Sequence, residues 1–220
     1  MRPKIILALD VDNLTKAEHF VNKLYPKIKI FKVGLRIFTA CGPKVIRLIH
    51  KKGAEVFLDL KLFDIPNTVA AAVRQAVRLK VKMLTLHICG GKEMLKAAVK
   101  AAQEEARLLG IKPPLLIGVT VLTSQKASAS TVLKLTRLGL ACRLDGVVCS
   151  AQEAVLLKRN IKAKFLIVTP GIRPKGSSAG DQKRIATAKE AVAAGANYIV
   201  VGRPILEAKD PLKAINDLLD

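Results

Sequence analysis

The sequence predicts an α/β protein, a (β/α)8 TIM barrel that occupies residues 1–220 as a single domain. Eight short apolar runs alternate with eight longer amphipathic stretches from one end of the chain to the other. The apolar runs are continuous, as expected of parallel strands that are buried on both faces. No linker or change of composition interrupts the order. Eight such units close into a barrel, whereas a doubly wound sheet usually has fewer strands and a glycine-rich first turn, which is absent here.

Each predicted strand is a short run of aliphatic or β-branched residues, which favour extended structure. In chain order these strands are residues 5–10, 30–34, 54–60, 83–88, 115–121, 146–150, 165–170 and 198–202. The stretches between them space their apolar residues as helices do. The predicted helices are residues 15–25, 43–52, 68–80, 92–109, 129–140, 151–158, 182–194 and 211–219. Gly53 and Gly195 follow two of these helices and Pro43 opens another, in keeping with common helix-end preferences.

Composition narrows the classes of partner. The chain carries 38 Lys and Arg against 17 Asp and Glu, a formal charge of +21. This balance favours anionic partners, but the cations are spread over the whole chain rather than gathered in one block. With no Trp, two Tyr and six Phe, few rings are present for base stacking. We therefore expect no nucleic-acid partner, and a basic surface able to steer a phosphorylated substrate inward.

The sequence also predicts a cytoplasmic protein. No apolar run approaches the roughly 20 residues that span a bilayer, so no membrane partner is expected. The first seven residues lead directly into a strand pattern, without the apolar core of a signal peptide. The four cysteines are far apart and form no C-x-x-C pair, which predicts reduced thiols and no metal or redox centre.

Charged residues gather where the first three predicted strands end. Asp10 ends the first strand, Lys32 lies in the second, and Asp59 and Lys61 end the third, with Asp64 just beyond. Active sites of such barrels lie at the carboxyl ends of the strands. Because strand side chains alternate, Asp59 and Lys61 should point to the same side, about 7 Å apart at Cα. A buried ion pair that only fixes the strand is the alternative, which charges at three strand ends disfavour.

The mixture of signs at these strand ends indicates acid chemistry. A lysine among carboxylates keeps its proton, so Lys61 is expected to donate a proton rather than to form a Schiff base. Asp10, Asp59 and Asp64 could in principle bind a metal ion. The ammonium groups of the two lysines would repel a cation there, so no metal is predicted.

The last two strands predict a phosphate site. Gly202 allows close backbone approach, and Arg203 follows it at the start of a short helix, whose N–H groups favour an anion. Residues 170–182 form a Gly-, Ser- and Pro-rich loop between Arg173 and Gln182, which predicts a lid over a polar ligand. The alternative to the phosphate site is a simple tight turn with a surface arginine. The alternative to the lid is a disordered connection. The Thr123 hydroxyl could bind a substrate ring, and no role is assigned to His87.

These segments resemble the orotidine 5′-phosphate decarboxylase family over nearly the whole chain. The most specific match is the decapeptide of residues 59–68, Asp-Leu-Lys-Leu-Phe-Asp-Ile-Pro-Asn-Thr. Shorter matches are Ala-Leu-Asp at 8–10, Phe-Lys-Val-Gly at 31–34, Pro-Gly-Ile-Arg at 170–173, Gly-Asp-Gln at 180–182 and Val-Gly-Arg at 201–203.

The resemblance implies a carboxy-lyase that makes UMP in pyrimidine biosynthesis without cofactor or metal. It implies that Lys61 protonates C6 of the pyrimidine while Asp59 lies beside the departing carboxylate. Asp64 and Thr68 would reach the site of the partner subunit in a homodimer. The remaining residues would bind substrate: Asp10 and Lys32 at the ribose, Thr123 near the pyrimidine, and Arg173, Gln182, Gly202 and Arg203 at the phosphate.

Two other functions stay open at this point. Related sugar-phosphate decarboxylases and aldolases share an Asp-x-Lys-x-x-Asp strand but use magnesium, with an acidic residue where Lys32 stands here. The Ile-Pro-Asn-Thr continuation at 65–68 also disfavours them. The second alternative is a basic barrel without enzymatic activity that binds RNA, which the low aromatic content and the clustered acids oppose.

Overall fold

A computed structural model of the chain describes residues 4–122, 125, 127–174 and 185–219. Eight parallel strands follow one another around a closed barrel, in which the first strand pairs with the last. The strands are β1 (Lys4–Ala8), β2 (Ile30–Gly34), β3 (Glu55–Leu62), β4 (Met83–His87), β5 (Leu115–Val119), β6 (Gly146–Val148), β7 (Leu166–Thr169) and β8 (Tyr198–Val201). This architecture confirms the predicted (β/α)8 barrel.

Ten α-helices occur in the described part of the chain, and most of them connect successive strands. They are α1 (Leu14–Leu24), α2 (Leu35–Cys41), α3 (Lys44–Lys51), α4 (Pro66–Arg78), α5 (Gly91–Leu108), α6 (Ala129–Ala141), α7 (Ala151–Asn160), α8 (Ala188–Ala193), α9 (Arg203–Leu206) and α10 (Pro211–Leu219). None of the described helices is both long and apolar enough to cross a membrane. The four cysteines, all within the described residues, form no disulfide.

Two helices differ from the sequence prediction. The helix predicted at residues 182–194 begins only at Ala188, because Thr187 and Glu190 cap each other's backbone N–H groups in a capping box. Its predicted first residues, 182–184, lie outside the described residues. Helix α2 was not predicted, because among its seven residues only Ile37 is buried and no apolar stripe marks it.

The barrel interior is apolar at its amino-terminal end and polar at its carboxyl end. The apolar part is a cluster of inward-facing side chains: Ile6, Ala8, Ile30, Phe57, Met83, Ile117, Val168, Tyr198 and Val200. Since side chains alternate along a strand, the next inward positions on β2, β3 and β4 are Lys32, Asp59 and Thr85. The fold therefore places the charged residues in a layer directly above an apolar floor.

The opposite end of the barrel carries a group of exposed cations. Each parallel strand is entered from this end, and the segments that lead into the strands are rich in exposed cations. These are Lys27, Lys29, Lys52, Lys80, Lys112, Arg143, Lys162 and Lys164. Every segment contributes only one or two of them. Cations that are dispersed in the sequence therefore lie together in space at the end away from the charged layer.

Candidate active site

Four charged side chains at the carboxyl ends of β1, β2 and β3 form a chain of alternating sign. The Lys32 ammonium lies 3.3 Å from Asp10 Oδ1 and 3.6 Å from Asp59 Oδ2. The Lys61 ammonium lies 2.9 Å from the same Asp59 oxygen. The structure therefore brings together the four residues that the sequence singled out at these strand ends, and we call them the charged cluster.

Strand β3 is irregular where it carries the cluster. Leu58 pairs with Leu84 and Leu62 pairs with Leu86, so four steps along β3 span only two steps along β4. Lys61 lies inside this bulge with φ of 52°, in the left-handed region that residues with a Cβ rarely adopt. The regular alternation expected from the sequence does not hold across this segment. The bulge, and not strand periodicity alone, sets the direction of the Lys61 side chain.

Thr85 on β4 holds the bulge, although the sequence analysis did not identify it. Its hydroxyl oxygen accepts a hydrogen bond from the Lys61 backbone N–H at 2.9 Å. The same hydroxyl donates to Asp59 Oδ1 at 3.0 Å. The available signal was a single threonine within an otherwise aliphatic strand that leads to His87.

The electrostatics of the cluster keep Asp59 ionised. Burial raises the pKa of Asp59, which is only 9% exposed, but the nearby Lys32 and Lys61 ammonium groups outweigh burial. The pKa of this carboxyl therefore lies below its ordinary value of 3.8. Burial, and after it the positive charge of Lys61, lowers the pKa of His87 below 6.5. His87 is consequently neutral near pH 7, and Lys61 is better suited than His87 to donate a proton.

A cavity of about 900 Å³ opens beside the charged cluster. Its floor and one wall are apolar, formed by Phe57, Val119, Val148, Val168 and Val200. Asp10, Lys32, Asp59 and Lys61 line its other side. A ligand with a flat ring would therefore meet hydrocarbon on one side and fixed charges on the other.

Two arginines line the same cavity near β7 and β8. Arg173 is buried, and its guanidinium donates to the Ile172 carbonyl oxygen at 3.0 Å. Arg203 is exposed at the first position of α9, directly after Gly202. A Cβ added at Gly202 would lie 3.5 Å from the Ala8 side chain and 3.6 Å from Asp10 Oδ2. These are ordinary contact distances, and the position lies at the edge of the cavity next to a guanidinium, which suits an anionic group.

Several predicted site residues are placed elsewhere or not described. Thr123, Gln182 and most of the predicted lid at 170–182 lie outside the described residues. Asp64 and Thr68 are exposed and do not line the cavity of their own chain. The Asp64 carboxylate instead accepts a hydrogen bond from the Ile65 backbone N–H at 2.6 Å. Within one chain, therefore, the structure does not bring Asp64 or Thr68 to the charged cluster.

Arg36 is a further cavity residue that the sequence analysis missed, because it lies on the unpredicted helix α2. Its side chain donates to the Asp12 carboxylate, with Nε 2.7 Å from Oδ1, and to the Asp10 carbonyl oxygen at 3.1 Å. The hydrogen bond from Arg36 is the main cause that lowers the pKa of Asp12. Arg36 thereby ties the loop after β1 to α2 and holds the backbone of Asp10.

Comparison with known proteins gives a consistent result. The family model described as "Orotidine 5'-phosphate decarboxylase / HUMPS family" matches residues 3–218. The orotidine 5′-phosphate decarboxylase of Vibrio cholerae is 48% identical, over 99% of this chain and 98% of that protein. The enzyme of that name from Moorella thermoacetica is 46% identical, over 97% of this chain and 89% of its own length. The crystal structure of orotidine 5′-phosphate decarboxylase from Lactobacillus acidophilus superposes with a TM-score of 0.85 at 36% identity, covering 99% and 97% of the two chains.

The charged cluster predicts how Asp59 titrates. In the unsubstituted protein its pKa should lie below 3.8, and Lys32→Met should raise it, because that change removes the largest favourable charge interaction. Since the pKa is depressed in the folded state, ionised Asp59 stabilises the fold above its unfolded pKa, and this stabilisation is lost as pH falls through the folded pKa. Carboxyl ¹³C shifts followed through the acidic range measure the pKa directly.

The matched control for this titration is Lys23→Met, on the exposed side of α1, which should leave the pKa of Asp59 unchanged. A value at or above 3.8 in the unsubstituted protein would contradict the electrostatic account of the cluster.

Proposed function

The chain belongs to the orotidine 5′-phosphate decarboxylase / HUMPS family, and on this basis we propose that it converts orotidine 5′-phosphate to UMP and carbon dioxide. This reaction makes it a carboxy-lyase of pyrimidine biosynthesis. One structural observation carries the proposal beyond family membership. The Lys61 ammonium lies 2.9 Å from a buried carboxylate, at the edge of a cavity with an apolar floor and arginines at the other side. A pyrimidine, a ribose and a phosphate match these three surroundings.

Lys61 is assigned the chemical step. When the bond from C6 to the carboxylate breaks, its electron pair stays on C6, and a nearby ammonium stabilises the developing negative charge. The Lys61 ammonium then gives a proton to C6, and solvent returns the proton to the amine. Asp59 and Lys32 support this role of Lys61 in two different ways. The Asp59 carboxylate forms an ion pair with the Lys61 ammonium, and the charge of Lys32 helps to keep Asp59 ionised although it is buried.

Asp59 has a second assigned role beside the substrate carboxylate. Two carboxylates in one poorly solvated place repel each other in the bound state, and the repulsion ends as carbon dioxide leaves. The Asp59 carboxylate is suited to this role because its position is fixed on both sides. Thr85 donates to one oxygen and Lys61 to the other.

The remaining assignments concern binding. Asp10 and Lys32 are assigned to the ribose, since both line the cavity, lie 3.3 Å apart, and Asp10 lies beside Gly202. Arg173, Gly202 and Arg203 are assigned to the phosphate, with Gln182 as a further ligand and Thr123 at the pyrimidine. Binding energy from the phosphate, remote from C6, can support the transition state instead of only tightening ground-state binding.

A magnesium-dependent sugar-phosphate reaction is disfavoured. A divalent ion in this site would need the oxygens of Asp10 and Asp59, and the Lys32 ammonium lies between them at 3.3 and 3.6 Å. A fixed positive charge at that point repels a metal ion. The relatives that match over nearly their whole length are named orotidine 5′-phosphate decarboxylase, not a sugar-phosphate enzyme.

We further propose a cytoplasmic homodimer in which Asp64 and Thr68 of one chain complete the site of the partner. Both residues are exposed in the single chain, and Asp64 lies between Phe63 and Ile65, which are 62% and 66% exposed. Large apolar side chains exposed next to functional candidates are typical of an interface. The homodimer would explain why Asp64, a predicted site residue, does not reach the charged cluster of its own chain.

The first test of the function is turnover of orotidine 5′-phosphate, followed as loss of its ultraviolet absorbance in the presence of excess EDTA. The expected result is full activity, because the proposed chemistry uses ammonium groups and no metal. Added magnesium should not raise the rate. Turnover that requires magnesium, or that occurs only with sugar phosphates, would assign the chain to the alternative reaction.

The role of Lys61 is tested by Lys61→Ala. We expect kcat to fall by at least about 10³-fold, since the proton donor and the charge that stabilises C6 are lost together. UMP should still bind, because its phosphate and ribose contacts are kept. The substitution leaves a Cβ at φ of 52°, so it does not relieve the backbone. Lys23→Ala is the matched control, and near-normal turnover of Lys61→Ala would remove Lys61 from its role.

The shared site is tested by mixing two inactive variants, Lys61→Ala and Asp64→Asn. A mixed dimer would contain one site with both changes and one site with neither, so random exchange should restore roughly a quarter of wild-type activity. Mixing Lys61→Ala with Lys32→Met is the control, because both residues act within one chain and no intact site can form. Absence of recovery in the first mixture, with dimers confirmed by sedimentation, would show that Asp64 does not act across the interface.

A further inference from the structure

Thr85 is a buried polar side chain whose hydrogen bonds both go to the charged cluster. It is 0% exposed and stands between Leu84 and Leu86 on β4. Its oxygen accepts from the Lys61 backbone N–H at 2.9 Å, and its proton goes to Asp59 Oδ1 at 3.0 Å. A buried hydroxyl that is used as donor and as acceptor has only one satisfactory orientation.

The backbone of Lys61 depends on this acceptor. In the bulge, β3 advances four residues while β4 advances two, so the regular ladder between the strands is interrupted there. The Lys61 N–H finds the Thr85 hydroxyl instead of a strand carbonyl. Because Lys61 is held at φ of 52°, an unfavourable conformation for lysine, contacts around it must keep it there.

The carboxylate of Asp59 depends on the same hydroxyl. Thr85 binds Oδ1, while the Lys61 and Lys32 ammonium groups face Oδ2 at 2.9 and 3.6 Å. The two oxygens therefore have different partners, and the rotation of the carboxylate is fixed. A closed loop of contacts results, from the Lys61 backbone through Thr85 and Asp59 to the Lys61 ammonium.

We propose that Thr85 is a positioning residue, whose hydroxyl orients Asp59 and Lys61 for proton transfer without touching the substrate. The inference rests on the proposed function, because it assigns Thr85 to the site where Lys61 protonates C6. Thr85 does not line the cavity, so it acts only through the two residues that do. A hydroxyl with a purely structural role would affect folding and binding but not the chemical step selectively.

The experiment compares Thr85→Ser with Thr85→Ala, two variants that both lack the methyl group and differ only in the hydroxyl. Thr85→Ala should lower kcat for orotidine 5′-phosphate by about 10- to 100-fold, as a small misplacement of reacting groups does. KM and the affinity for UMP should change by less than about threefold, since phosphate and ribose contacts are untouched. Thr85→Ser should recover most of kcat. Thr85→Val adds a variant of the original shape without the hydroxyl.

Thr136→Val is the matched control, since Thr136 is also fully buried but donates only to a carbonyl of its own helix α6. It should not alter kcat. Equal kcat for Thr85→Ser and Thr85→Ala would overturn the proposal. So would a loss in Thr85→Ala that appears only in KM or in UMP affinity.

A second readout does not depend on activity. Asp59 is faced by Lys32 from β2, Lys61 from β3 and His87 from β4, with Asp10, which follows β1, beyond Lys32. The hydrogen bond from Thr85 adds to the effects that lower the pKa of Asp59. Thr85→Ala should therefore raise this pKa, and Thr85→Ser should restore it. If the unsubstituted chain did not decarboxylate orotidine 5′-phosphate, the proposed function would be wrong. The titration would still test whether the Thr85 hydroxyl donates to Asp59.

Discussion

The structure depends on keeping one buried carboxylate ionised. Asp59 lies above an apolar barrel interior, where a lone negative charge is strongly disfavoured. Two ammonium groups, from neighbouring strands, make the ionised form stable there. Each lysine in turn needs the carboxylate, since close cations repel each other. The cluster is therefore a single electrostatic unit, and removing one member leaves the others in an unfavourable place.

The barrel supplies this unit through its geometry. Parallel pairing puts the ends of β1, β2 and β3 side by side, so residues distant in sequence meet at one rim. Side-chain alternation then separates the interior into apolar layers below and a polar layer above. The same topology collects cations from the loops at the opposite end. The two ends of one barrel thus differ in chemistry, with mixed charges around the cavity and an excess of lysine away from it.

Much of the fold and part of the site could be predicted from the sequence. The strands are uninterrupted apolar runs, and their order leaves few topologies, so the rim residues Asp10, Lys32 and Asp59 could be grouped from the sequence alone. The bulge at Lys61 could not be predicted, because alternation assumes a regular strand and no glycine marks the left-handed position. Thr85 was missed for the same reason, since its partner is an N–H that only the bulge makes available.

Helix α2 has no apolar stripe that would predict it from the sequence, and Arg36, which lies on this helix, was missed with it. The sequence groups Asp64 with the other charges, and only the structure reveals that it is exposed and accepts a hydrogen bond from the Ile65 backbone N–H.

The left-handed backbone of Lys61 has a consequence for transferring this chemistry to other scaffolds. Glycine or asparagine would suit that backbone better, but neither carries an amine, so backbone preference and chemistry make opposite demands on one position. An Asp-x-Lys pair grafted onto a regular barrel strand would reproduce the residue types of the site but not the directions in which their side chains point. A designer would need to copy a larger unit. It consists of the bulged strand together with the Thr85 hydroxyl on the next strand, which accepts a hydrogen bond from the Lys61 backbone N–H.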